Sequence, residues 1–183
     1  MTLITPSNWL AGLVKESFLK EYPVEVVHNT VENSVFKPSP SDFREKNGLE
    51  NKTVVLGVAS AWSERKGLSD FIRLSDRLEG SFAVVLVGLT KEQLRGLPKS
   101  IVGIERTNSK EELAQIYSAA DVFLNLTYED TFPTVNLEAE ACGTPVITYD
   151  TGGCPETAAS ASVVKQGDLD AVVSKLTELK DKK

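Results

Sequence analysis

Short runs rich in valine, isoleucine, leucine and phenylalanine alternate along this chain with stretches of helical period. That alternation restricts the fold more than any other feature. The runs are Val24–Val27, Thr53–Ser60, Phe82–Gly88, Ile101–Glu105, Asp121–Leu126 and Pro145–Tyr149, with a weaker one at Ser162–Lys165. Strands that are apolar at nearly every position are buried on both faces, the condition of a parallel sheet covered by crossover helices. The expectation is an α/β chain: a doubly wound domain with a mostly parallel sheet of about six strands and helices on both faces.

The helical stretches carry their own punctuation. Thr90 with Gln93, and Ser109 with Glu112, have capping-box spacing. Gly96 and Gly143 fall where a helix ends in a left-handed residue. Asp168 can cap a last helix whose basic end, Lys180, Lys182 and Lys183, suits the negative pole of the dipole. Ser7 can cap a helix from Asn8 to about Lys20, and Phe36–Pro40 reads as a surface connection. The stub before that helix, Leu3–Pro6, fits either a short edge element or the last piece of a strand from another domain. The division adopted is residues 1–20 as the remnant of a preceding domain with an interdomain helix, and 21–183 as the α/β domain.

Composition excludes several classes. With 183 residues, 20 basic and 26 acidic side chains and a net charge of −6, the chain is an ordinary globular domain. Its acidity argues against nucleic acid as a partner. No apolar run reaches the ~18 residues of a membrane span, and the first residues lack a secretory signal's layout. Two cysteines, Cys142 and Cys154, suggest a reduced, cytoplasmic setting. A single histidine, His28, makes a zinc site or a Ser-His-Asp triad improbable, so neither metal nor cofactor is expected.

In open parallel sheets ligands bind beyond the carboxyl ends of the strands, so chemistry is sought in the loops that follow them. The loop Ala61–Gly67 places Arg65 and Lys66 beside a glycine. A planar fork and a point charge can hold a phosphate, although a solvated charge pair fits the loop equally well. The loop is no Walker motif, and GxGxxG is absent. The stretch Tyr128–Pro145 is richer. An acidic loop with Glu129 and Asp130 leads into a helix beginning near Pro133, whose free amides around Thr134 and Val135 can bind an anion. Glu138 lies one turn inside among apolar neighbours, where a carboxylate needs a partner such as a hydroxyl; Glu140 falls about 200° round the helix and cannot face the same ligand. After the next strand, Gly152-Gly153 permits close backbone approach to a ligand or an ordinary tight turn. Cys154 has nothing nearby in sequence that would lower its thiol pKa, which argues against a nucleophile.

Taken together these residues resemble a known family. Arg65-Lys66-Gly67, the run from Glu129-Asp130-Thr131-Phe132-Pro133 through Leu137-Glu138-Ala139 to Ala141–Val146, and Gly152-Gly153-x-Pro155-Glu156 are similar to the C-terminal half of group 1 retaining glycosyltransferases with the GT-B fold. Val26-Val27-His28-Asn29 with Phe36-Lys37-Pro38 resembles that family's interdomain segment, and Glu112-Leu113, Tyr117 and Ala120-Asp121-Val122 fall in the same order. The resemblance implies a Rossmann-like domain that binds a nucleotide-diphosphate sugar donor. In such a domain Lys66, helped by Arg65, neutralises the diphosphate and the Thr134 and Val135 backbone donates to it. Glu138 accepts from the ribose hydroxyls. Asp130 contacts the transferred sugar, with Thr131 and Phe132 nearby, and base contacts fall near Gly88-Leu89 and Glu105-Arg106-Thr107. The implied reaction is metal-independent and retains anomeric configuration, with fixed cations and amides stabilising the departing charge.

This sequence also departs from the family. Ala61 stands where the family often has an arginine, and Glu129 adjoins Asp130, so either acid can face the sugar. The acceptor domain is missing before Thr2, which implies that the chain binds nucleotide but transfers sugar poorly; in the whole protein it can lie at the inner face of a membrane. The competing readings are a non-transferase nucleotide-sugar module such as an epimerase half, disfavoured by the lone His28, and a flavodoxin-like interaction domain, disfavoured by Ala59-Ser60-Ala61 at the end of the first long strand.

Overall fold

The computed structural model describes residues 1–181. Six parallel strands form the central sheet: β3 (Thr53–Val58), β4 (Phe82–Val87), β5 (Ile101–Ile104), β6 (Val122–Asn125), β7 (Val146–Tyr149) and β8 (Ser162–Val164), in the spatial order β5-β4-β3-β6-β7-β8. That order is the doubly wound Rossmann arrangement, in which the winding reverses between the two central strands, here β3 and β6. The register pairs Val55 with Val84 on one side and with Val122 on the other.

Alternating side chains of each strand feed two cores, as the two-residue period demands. Val55, Val84, Leu86 and Leu124 face α3 (Leu68–Ser75) and α7 (Leu169–Lys180), burying Phe71, Leu74, Val172 and Leu176. Val54, Leu56, Val85 and Phe123 face α5 (Lys110–Ala119) and α6 (Thr134–Ala141), burying Ala114, Tyr117 and Ala139. Helices therefore cover both faces. The apolar runs extend past the strands at their carboxyl ends. Ala59, Ser60, Gly88, Glu105 and Leu126 leave the ladder and open the loops that line the main cavity.

The caps follow local chemistry. Thr90 and Gln93 form the reciprocal box on α4 (Lys91–Gly96), Ser109 accepts from the Glu112 amide, and Asp168 accepts from the Ala171 amide at 2.9 Å. Glu112 reaches the Asn108 amide at 2.6 Å, one residue before the cap. Lys180 lies in the last turn of α7, while Lys182 and Lys183 fall outside the described residues. Gly143 is left-handed, with φ 83°. Gly96 corrects its expectation: it is the last helical residue of α4 and is not left-handed. Leu97, extended at φ −71° and ψ 142°, ends that helix because Pro98 after it disfavours helical backbone.

The opening residues stand apart. β1 (Leu3–Thr5) pairs in parallel with β2 (Val24–Val26), outside the six-stranded sheet that the Val24 run was expected to join. Both are three residues long and form a separate two-stranded sheet. α1 (Asn8–Glu16) is shorter than expected. The Ser17 hydroxyl donates to Val14 O at 2.8 Å and accepts from the Leu19 amide at 3.1 Å, competing with the next helical turn. Ser7 caps α1 through the Leu10 amide, and Glu156 accepts from the Asn8 and Trp9 amides at 2.8 and 2.9 Å, tying α1 to the main domain. Among the described residues no helix is long and apolar enough to cross a membrane.

Candidate functional site

A cavity of about 740 Å³ opens at the carboxyl ends of β3 and β6, where the winding reverses. Its first wall is the loop after β3. Glu64–Lys66 makes one 3-10 turn that ends at Gly67 with φ 77°. A Cβ on Gly67 would stand 2.2 Å from the Leu126 carbonyl oxygen, so glycine alone lets this loop press on the end of β6. The Tyr128 amide and Thr127 hydroxyl both donate to Arg65 O, at 2.8 and 3.1 Å, and bind the two loops together. Lys66 points into the cavity, its Nζ 2.5 Å from Asp130 Oδ2.

Arg65 does not join it. Its guanidinium donates to Glu129 O at 2.9 Å and, with Glu129, lines a separate hollow beside Asp70, Arg73 and Tyr128. In a 3-10 turn consecutive side chains diverge by about 120°, so neighbours cannot serve one ligand. Glu129 and Thr131, expected beside the sugar, lie in the irregular loop after β6, where they are exposed and outside the cavity lining. Of the two loop acids, Asp130 is the one that faces the cavity.

The second wall is α6. Asp130 Oδ1 accepts from the Phe132 amide at 3.2 Å, turning the chain into Pro133. Pro133 is the residue before the helix, at φ −69° and ψ 112°, one place earlier than first-position proline. Thr134 and Val135 line the cavity with first-turn amides that no intrahelical carbonyl can reach. A buried polar chain anchors this turn: Asn125 Nδ2 donates to Asn136 Oδ1 at 2.9 Å, and Asn136 Nδ2 to Thr157 Oγ1 at 2.7 Å. One turn on, Glu138 faces the cavity and accepts from the Tyr117 hydroxyl at 3.0 Å. Loss of solvation raises the Glu138 carboxyl pKa, against the opposing effects of the Tyr117 bond and the Lys110 charge. Glu140 turns elsewhere, to the Ser160 amide and hydroxyl at 3.0 and 2.7 Å.

The glycine pair braces the acidic loop. Gly152, at φ 55°, and Gly153 lie so near that Cβ atoms would stand 2.0 Å from Asp130 O and 1.9 Å from Thr131 O; the Gly153 amide donates to Asp130 O at 3.0 Å. The close approach is thus to the protein's own backbone. Phe132 lines the cavity and stacks on His28, centroids 4.9 Å apart, while the His28 Nδ1 pairs with Pro6 O at 2.9 Å. Buried Cys154 has its thiol pushed up to about 12, chiefly by burial and next by the Asp130 charge, so it stays protonated and is no nucleophile.

The far end of the cavity is lined by Gly88, Glu105, Arg106 and Thr107. A Cβ on Gly88, at φ 100°, would stand 1.7 Å from Ala59 O. Trp62 joins this end, its indole N–H donating to Val87 O at 2.8 Å. Sequence reasoning missed Trp62 and Asn125 as cavity residues, and named Tyr117 only for its place in the family pattern. The first two stand at or just beyond strand ends, a position that singles them out once the strands are placed. The supporting role of Tyr117 has no local signal, because it lies 21 residues from Glu138. The fold therefore gathers Lys66, Asp130, Phe132, Pro133, Thr134, Val135, Glu138, Gly88 and Arg106 on one cavity and leaves out Arg65, Glu129 and Thr131. A cation and free amides at one end, with a carboxylate acceptor about a turn away, suit a ligand that combines an anion with vicinal hydroxyls.

Comparison with known proteins places this geometry. The α-galactosylglucosyldiacylglycerol synthase of Streptococcus pneumoniae is 31% identical over 160 residues, covering 76% of this chain and 40% of that protein. The D-inositol 3-phosphate glycosyltransferase of Mycolicibacterium smegmatis is 27% identical over 175 residues, covering 87% of this chain and 40% of that protein. The chain thus spans about two fifths of the length of these curated relatives. Among solved structures, HepE of Anabaena in complex with UDP-glucose superposes with a TM-score of 0.83 at 20% identity, over 98% of this chain and 54% of that one. The C-terminal domain of a group 1 glycosyl transferase from Francisella tularensis superposes with a TM-score of 0.66 at 21% identity, over 83% of this chain and 88% of that domain. These structures share the fold. Residues 40–183 match the family model of glycosyl transferases group 1, and the chain belongs to that family.

Proposed function

We propose that the cavity binds the nucleoside diphosphate part of a nucleotide-sugar donor, and that the chain is the donor-binding part of a retaining, metal-independent glycosyltransferase. The observation that carries this reading is the sharing of one cavity by Lys66, the Thr134 and Val135 amides and Glu138. The diphosphate lies between the Lys66 ammonium and the opening turn of α6. Glu138 accepts from the ribose hydroxyls, and the base extends toward Gly88 and Arg106. The sugar lies by Asp130 and Phe132. HepE, of the same fold, holds UDP-glucose.

On this reading the bond from the anomeric carbon to the diphosphate oxygen breaks heterolytically, and the electron pair leaves with the diphosphate. Lys66 and the α6 amides stabilise that charge from fixed positions, which costs no reorganisation during the reaction. An oxygen of the departing phosphate takes the acceptor's proton, and the acceptor attacks from the face that the diphosphate leaves, which retains configuration. The acceptor belongs to a domain preceding this one in the whole protein, of which residues 1–20 are the last part. Two free buried thiols, Cys142 and Cys154, suit a cytoplasmic site of action, at the inner face of the membrane or near it.

Titration calorimetry with UDP, GDP and ADP tests the reading. At least one binds, and Glu138→Ala weakens that one by about 1.5–3 kcal/mol, the value of hydrogen bonds to a charged acceptor. Equal affinity in both proteins removes Glu138 from the site.

A further inference from the structure

Glu138 enters the cavity from α6, but its orientation is set from behind. Tyr117, on α5, has no accessible surface (0%) and gives its one hydroxyl proton to Glu138 Oε2 at 3.0 Å. The tyrosine is packed on several sides. Phe36 and Phe123 meet its ring edge to face, at centroid distances of 6.2 and 5.5 Å, and its carbonyl accepts the Thr144 hydroxyl at 2.6 Å.

A glutamate's last torsion is broad when nothing holds it. A donor fixed in the core picks one setting: Oε2 turns inward, and Oε1, which has no donor among the described residues, remains for a ligand. Vicinal hydroxyls demand such control, because two donors with a fixed separation reward one orientation of the acceptor plane. Among the described residues the hydroxyl has no other hydrogen-bond partner, and removing it leaves the aromatic packing intact.

We propose that Tyr117 is a positioning residue whose buried hydroxyl locks the Glu138 carboxylate against the ribose diol, and so makes the cavity distinguish ribonucleotides from nucleotides that lack those hydroxyls. The inference rests on the reading that Glu138 receives the ribose. Tyr117 touches no substrate; it acts through the carboxylate.

The test compares two ligands on one protein sample: whichever of UDP, GDP and ADP binds, and its 2′,3′-dideoxy counterpart, titrated into wild type, Tyr117→Phe, Glu138→Ala and the double variant. Tyr117→Phe weakens the ribonucleotide about 3–10-fold, less than the loss of a whole hydrogen bond to a charged acceptor because the carboxylate stays and only its orientation is lost, and leaves the dideoxy ligand within about 2-fold. In the double variant Tyr117→Phe adds nothing to Glu138→Ala, because the two act as one unit. Both affinities come from the same sample, so a smaller folded fraction cancels in their ratio. If Tyr117→Phe weakens both ligands alike, or leaves the ratio at the wild-type value while Glu138→Ala abolishes it, the positioning role is overturned and the ribose reading survives. If Glu138→Ala leaves the ratio unchanged, the ribose reading itself fails.

Discussion

The Lys66 ammonium lies 2.5 Å from the Asp130 carboxylate, so the cation of the cavity already has an anionic partner on the facing loop. A diphosphate that takes Lys66 must compete with that acid or displace it. Both side chains are about a fifth exposed, at 23% and 18%, so solvent moderates the pair without abolishing it.

Removing each partner therefore has opposite effects. Asp130→Asn frees Lys66 and tightens nucleoside diphosphate binding by about 1 kcal/mol, whereas Lys66→Ala weakens it by about 1.5–3 kcal/mol. Calorimetry at low and high salt checks both, and the gain from Asp130→Asn shrinks as salt rises. Weaker binding by Asp130→Asn would show that the acid supports the diphosphate instead of opposing it.

Arg65 adjoins Lys66 in sequence but donates to Glu129 O outside the cavity. Arg65→Ala is expected to change nucleotide affinity less than about 2-fold, with a stability loss of about 0.5–1.5 kcal/mol from the missing interloop hydrogen bond. A ten-fold loss of affinity with unchanged stability would return Arg65 to the site.

Gly152 and Gly153 leave no room for a side chain, since their hypothetical Cβ atoms collide with the Asp130 and Thr131 carbonyls. Gly152→Ala and Gly153→Ala should each destabilise the chain by about 1–3 kcal/mol, as a shift of backbone is the only relief. Urea unfolding measures the loss. Nucleotide affinity falls in the same variants, because the displaced loop carries Asp130 and leads into α6. Full stability in both variants would show that the loop yields freely.

Glu138 has its carboxyl pKa raised in the folded chain, chiefly by desolvation. The folded state therefore holds this proton more tightly than the unfolded chain does. The linked contribution is fully present below the ordinary glutamate range and is lost as pH rises through the raised value. Glu138→Gln, which keeps an acceptor for Tyr117, should raise the thermal midpoint at neutral pH, and the gain should vanish in acid. Nucleotide binding by wild type should begin to weaken, on acidification, at a higher pH than an unperturbed glutamate would give. A midpoint difference independent of pH would exclude titration of Glu138 as its source.

The sequence by itself determined the architecture. Near-continuous apolar runs separated by capped helical segments admit a parallel sheet with helices on both faces, because only double burial accommodates strands without a polar side. It also determined where chemistry gathers, since Lys66, Asp130 and Glu138 all follow strand ends and their spacing survives folding. Only the tertiary structure decided which neighbours share the cavity. Arg65 and Lys66 are adjacent, yet a 3-10 turn sends them to different hollows, and Glu129 and Asp130, neighbours in an irregular loop, also line different hollows. Only it could bring Tyr117 to Glu138, and Gly152 to Asp130, across 21 and 22 residues. Contacts of that kind leave no periodic trace in sequence: they arise where separately formed elements pack, and the direction of a side chain there is set by its neighbours in space.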